Sequence, residues 1–118
     1  MIEWPTGIAI YLYRDPVDFR KSINGLSVIV NEAMGLSPFK SGVFVFCNRR
    51  RDKLKVLYWD RTGFALWYKR LEKDKFQWPR KVSDSTLILT HEQWDGLLRG
   101  LNFFDIKPHK TWTFSAVN

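Results

Sequence analysis

Val43-Phe44-Val45-Phe46-Cys47, then Asn48-Arg49-Arg50-Arg51-Asp52-Lys53, then Leu54-Lys55-Val56-Leu57-Tyr58-Trp59 is the stretch whose reading decides the fold. Two runs rich in β-branched and aromatic residues flank a polar tip, which is the pattern of a β-hairpin. The tip carries three consecutive arginines and then a lysine, where a turn more often holds Asn, Gly or Asp. A cationic loop on a stiff two-stranded base is a surface suited to anions.

Downstream, Asp60-Arg61-Thr62-Gly63 reads as a turn. Phe64, Leu66 and Tyr68 then alternate with Ala65, Trp67 and Lys69 up to Leu71. That spacing permits a short helix, but the density of aromatics and the preceding glycine turn favour a third strand, giving an antiparallel meander. Lys73 to Lys75 form the next turn, and Phe76-Gln77-Trp78 are expected to pair briefly before Pro79 ends the ladder. Thr86 to Leu89 is a short strand or extended segment. Thr90 and Gln93 have the spacing of a capping box, and Trp94, Leu97, Leu98 and Leu101 make the stripe of a short helix closed by Gly100.

Upstream, Ile8 to Tyr13 suits a strand. Asp15-Pro16 has the form of an N-cap followed by proline at the first helical position, and Asp18 falls in the first turn. Phe19, Ile23, Leu26, Val30 and Ala33 or Met34 recur at helical spacing, so a helix of roughly five turns is expected from Asp15 to Met34, stopped by Gly35 and Pro38. Arg20, Lys21, Asn24, Ser27 and Asn31 read as its solvated face. The expected architecture is a single α+β domain over 1–118. It has an antiparallel sheet of about four to six strands packed on one long and one short helix. Residues 104–118, with Trp112-Thr113-Phe114, are expected to be an edge strand or a loosely held tail.

Composition bounds the function. The 118 residues are 45% hydrophobic and 16% aromatic, enough for a core and unlike a disordered chain. No apolar run is long enough for a bilayer span, and Met1 to Pro5 lack the basic start and apolar stretch of a signal peptide, so a cytoplasmic location is expected. Cys47, the single cysteine, cannot form an internal disulfide and reads as a core residue. The net charge is +7, and its distribution says more than the total. Residues 40–81 hold 13 Lys or Arg against Asp52, Asp60, Glu72 and Asp74, so the rest of the chain is slightly acidic. Such clustering is the electrostatic footprint of nucleic-acid binding.

The chemistry of catalysis is thinly supplied. His91 and His109 are the two histidines, and neither a phosphate-cradling loop nor a nucleophile elbow is present. Asp52 and Asp60 lie at opposite ends of one expected strand, some 25 Å apart, too far to share a metal. Asp60 and Glu72 sit among Arg and Lys as ordinary charge balance. No enzymatic activity, cofactor or metal is therefore expected. Phosphate contacts are expected first from Arg49, Arg50, Arg51 and Lys53, and second from Arg61, Lys69 and Arg70. Most of the interleaved rings belong to a core, with Trp67 and Trp59 the candidates for an exposed one. The partner is expected to be DNA, bound through its backbone without base readout. The alternative is a protein adaptor whose basic tip docks on an acidic surface.

The sequence also resembles a known family. The matching residues are Val17-Asp18-Phe19-Arg20-Lys21-Ser22 with Gly25-Leu26, Pro38 with Ser41-Gly42, Val43 to Phe46, Asn48 to Lys53, Lys55 to Asp60 and Gly63-Phe64. The most specific are Leu66-Trp67-Tyr68-Lys69-Arg70-Leu71-Glu72 and Phe76-Gln77-Trp78-Pro79, with a looser match through Thr90, Gln93, Leu97-Leu98 and Gly100. In these it is similar to the small TnpB-type accessory proteins encoded beside the transposase in bacterial insertion sequences of the insertion-sequence-66 family. Those proteins are unrelated to the RNA-guided nuclease that shares the name. Phe19, Cys47 and Asp74 stand where that family more often has methionine, arginine and glycine. The resemblance implies a role in transposition beside a separate, large transposase that carries the catalytic carboxylates.

Overall fold

The computed structural model describes residues 7–79 and 82–101. Within these residues five strands and two helices follow in the order β1 (Ile10–Tyr13), α1 (Ile23–Glu32), β2 (Val43–Cys47), β3 (Lys53–Asp60), β4 (Gly63–Arg70), β5 (Thr86–Leu89) and α2 (His91–Leu98). The hairpin and third strand form the expected meander, with Val45 opposite Val56 and Val56 opposite Trp67.

The sheet as a whole is mixed, which corrects the expected all-antiparallel arrangement. Its order is β4-β3-β2-β1-β5. β1 runs parallel to β2, Tyr11 beside Phe44, because α1 lies between them in sequence and carries the chain back to the starting end. β5 then pairs antiparallel on the other side of β1, so that among the described residues β4 and β5 are the two edges. Gly42 makes the close approach of β2 to β1 possible. Its φ is +133°, and a Cβ there would sit 2.9 Å from the Ala9 carbonyl oxygen.

Both faces of the sheet are covered. On one, Tyr11, Phe44, Phe46 and Leu57 pack with Leu26, Val30 and Met34 of α1 and the residues just after it. On the other, Ile10, Leu12, Val43, Val45, Leu54 and Val56 pack with Trp94, Leu97 and Leu98 of α2 and with Phe76 and Trp78. Successive residues of a strand point to opposite faces, so every residue of β2 is buried.

The first helix is shorter than its sequence suggests. It spans ten residues, Ile23–Glu32, against eight in α2, so the expected long helix from Asp15 is not formed. Three interactions hold residues 15–22 in another conformation. Val17 donates its N–H to the Cys47 carbonyl at the end of β2 (3.0 Å), and its side chain is buried. The Asp18 carboxylate accepts the Arg20 backbone N–H (2.9 Å) and pairs with the Arg20 guanidinium. The carbonyls of Phe19 and Lys21, which a helix would bond internally, accept instead from the Lys55 ammonium at 2.9 and 2.7 Å. Gly25 lies within α1, where an added Cβ would crowd the Lys21 side chain at 3.0 Å.

The second helix begins as expected. The Thr90 hydroxyl accepts from the Gln93 N–H (3.0 Å), and the Gln93 side chain accepts from the Thr90 N–H (2.9 Å). Phe76 to Trp78 do not form a strand. They are an irregular connection whose two rings lie in the core on the α2 side, with the Trp78 indole N–H donating to the Arg14 carbonyl (2.9 Å). The expectation for residues 104–118 lies outside the described residues, as do Arg80 and Lys81.

Candidate nucleic-acid interface

The tip between β2 and β3 is built on Asn48. Its side-chain oxygen accepts from the backbone N–H groups of Asp52 (3.1 Å) and Lys53 (3.0 Å), and its amide donates to the Asp52 carboxylate (2.7 Å). That hydrogen bond holds the Asp52 carboxyl below the ordinary carboxylate range. The Arg51 N–H closes the turn on the Asn48 carbonyl (3.1 Å). Residues 71–76 brace the loop from outside, Leu71 donating to the Asp52 carbonyl (2.8 Å) and Phe76 to that of Arg51 (2.7 Å). Arg49 and Arg50 stand exposed on this frame, and Arg51 and Lys53 are half-buried beside them.

Arg51 adopts φ +63° and Arg61, in the next hairpin turn, φ +55°. An L side chain in the left-handed region costs about 1 to 2 kcal/mol, so both turns place an arginine where glycine or asparagine would sit more easily. In the second turn the Thr62 N–H bonds the Asp60 carbonyl across Arg61.

Strand register sorts the expected basic residues into separate places. Lys53 stands directly opposite Arg70, adjoining the tip, so these two join Arg49, Arg50 and Arg51 at one end of the sheet. Lys69 stands opposite Leu54, whose side chain belongs to the α2-side core. It therefore points to the other face from Arg70 and is half-buried. Arg61 lies beyond the far end of β3, about 25 Å from the tip. The structure thus gathers five of the seven expected residues and separates Lys69 and Arg61 from them.

Lys55 belongs to the same α1-side face but is not available. It is 7% exposed, and besides the two carbonyls it bonds, its ammonium lies 4.8 Å from the Phe19 ring centre and 5.9 Å from that of Tyr68. Burial lowers its pKa, and the nearby Lys53 adds to that effect.

The rings are not distributed as expected. Trp67 is half-buried, edge-on to Trp94 of α2, and Trp59 packs against Phe39 and Phe64. Tyr68, at 48% exposure, is the open ring of β4, and Phe39, at 60%, caps the far end of the β3–β4 hairpin beside the Arg61 turn. Sequence reasoning gave Asn48 and Lys55 no role of their own and preferred Trp67 and Trp59 to Tyr68 as the exposed ring. An asparagine ahead of an arginine run is a turn-former by its own chemistry. The two-residue connection Arg61-Thr62 fixes the pairing that puts Tyr68 opposite Lys55 and on one face with Arg70. Of the acidic residues weighed for a metal site, Asp52 is bonded by Asn48, and Glu72 pairs with the Arg70 guanidinium (2.8 Å). Among the described residues no three His, Cys, Asp or Glu side chains converge. No described helix is long and apolar enough to cross a membrane.

Fold and surface together define a small mixed-sheet α+β protein with a cationic end. The chain belongs to the family of IS66 Orf2-like proteins, whose model matches residues 8–108, and so to the accessory proteins associated with transposition of insertion-sequence-66 elements. It is similar to two proteins of Sinorhizobium fredii, both described as uncharacterized. To y4jC it is 37% identical over 91% of each chain. To y4hO it is 29% identical over 92% of this chain and 93% of that one. No solved structure matches the chain significantly.

Proposed function

We propose that this protein is a non-enzymatic transposition accessory factor of the cytoplasm that binds the phosphate backbone of DNA through the cationic end of its sheet, assisting a separate transposase. The observation that carries this reading is the register that sets Lys53 directly opposite Arg70, beside a tip that presents Arg49 and Arg50. Like charges opposed across a strand pair destabilise a sheet by a few tenths of a kcal/mol or more. Their cost is offset when a polyanion lies over them. The tip is also braced by Asn48, Leu71 and Phe76, so its arginines are presented from a fixed frame and lose less freedom on binding.

Duplex-binding measurements over a range of salt concentrations test the reading. Wild-type protein binds at low salt, and replacing Arg49, Arg50 and Arg51 by alanine abolishes most of that affinity. A wild-type protein that fails to bind duplex even at low salt would refute it.

One observation favours the adaptor reading instead. Phe39 is exposed over Trp59 and Phe64 at the end of the hairpin away from the basic tip, an apolar spot of the kind partners anchor on. Under that reading Phe39→Ser abolishes capture of the transposase in a pull-down while DNA affinity, if any, is unchanged.

A further inference from the structure

Tyr68 is framed differently from the other rings of the sheet. It is the open aromatic of β4, which is an edge strand of the sheet among the described residues. One side of it is held by Phe19, edge-on at 6.2 Å between ring centres, and by the Lys55 ammonium 5.9 Å from its own centre. Two residues along the same face is Arg70, about 7 Å away, a nucleotide's length in an extended strand, and across from Arg70 is Lys53. An exposed ring with cations one step along is the arrangement by which sheets take unpaired nucleotides, the base on the ring and its phosphates on the charges.

We infer that Tyr68, with Arg70 and Lys53, is a stacking site for an unpaired base of single-stranded DNA, continuous with the basic tip. The inference rests on the DNA-binding reading above and adds, beside the backbone contacts of the tip, a place for an unpaired base. A ring half covered by Phe19 and Lys55 does not project far enough to wedge between stacked bases of a duplex, whereas it accepts a base already unstacked. The Arg70–Glu72 pair does not block the site. Both side chains are more than half exposed, and an exposed pair of this kind is weak enough for a phosphate to displace.

The test compares affinities of the full chain for a fluorescent oligothymidylate and for a duplex of equal length at one salt concentration. Tyr68→Leu keeps apolar bulk against Phe19 but removes the ring, and Tyr68→Phe keeps the ring. Tyr68→Leu is expected to weaken oligothymidylate binding by about 5- to 150-fold, the range for loss of one stacked base, and to change duplex binding by less than about twofold. Tyr68→Phe retains single-strand affinity. Equal loss on both DNAs, no loss on either, or a Tyr68→Phe defect as large as that of Tyr68→Leu would overturn the stacking site. If wild type binds duplex but not oligothymidylate, the stacking site falls and the DNA-binding reading stands. If wild type binds neither, both fall.

Discussion

Lys53 and Arg70 face each other across the β3–β4 pair, on the side of the sheet that carries α1 and at the end that carries the arginine tip. The sheet therefore concentrates like charge at a position where strand pairing favours opposite charge. Lys53→Glu converts the repulsive pair to an attractive one. The variant is expected to be more stable by about 0.2 to 1 kcal/mol in urea unfolding at low salt, with the gain shrinking as salt is added. The same change should weaken DNA binding. A variant that is less stable than wild type at low salt would mean that the pair is not electrostatically strained.

Arg51 tests the turn itself. At φ +63° a side chain is strained and glycine is not. Arg51→Gly should be more stable than Arg51→Ala by about 1 kcal/mol, since both lose the guanidinium and only one loses the strain. Thermal or urea unfolding of the pair measures the difference, and equal stability would show that the turn relaxes around alanine.

Acid sensitivity should carry the signature of Asp18. Hydrogen bonds from the Arg20 side chain and backbone hold its carboxyl at about 2, against an ordinary 3.8. The unfolded chain takes up this proton first as pH falls. The contribution is therefore present above about pH 4 and is lost progressively as pH drops toward 2. Asp52, lowered by Asn48, adds a slope of the same sign. In Asp18→Asn the dependence of stability on pH over this window should be visibly shallower, as followed by unfolding midpoints between pH 4.5 and pH 2.

Cys47 lies in the core at 1% exposure, and burial pushes its thiol up to about 12. A thiol-specific reagent at pH 8 should leave the native protein unlabelled and react only as denaturant opens the sheet. Labelling at the rate of a free thiol in native buffer would show that β2 opens locally.

The meander was legible because alternation and turn chemistry are local: Val43 to Arg70 announces three antiparallel strands. The placement of β1 was not, since nothing in Ile10 to Tyr13 says whether its neighbour runs parallel. The clue was the connection, a helix between two strands. The start of α1 was misread for a physical reason. Asp15-Pro16 has the chemistry of a helix cap, but the competing partners of residues 17–21 are Cys47 and Lys55, which lie far along the chain, 36 and 34 residues away for the two Lys55 bonds. Lys55 shows the same limit. A lysine in an alternating strand reads as solvent-facing, and only the cover supplied by Phe19 and Lys21 makes it a buried pin. The basic residues were visible as a count, whereas their division between two ends and two faces depended on register.

The salt dependence of duplex binding tests the central claim most directly. Each phosphate contact contributes about 0.9 to the slope of log affinity against log salt. Replacing Arg49 and Arg50 by alanine should lower that slope by about 1.8, while Arg61→Ala, at the far end of the hairpin, leaves it unchanged. Absence of duplex binding by wild type at low salt, or an Arg61→Ala effect as large as that of the double variant, would contradict a DNA-binding surface at this end of the sheet.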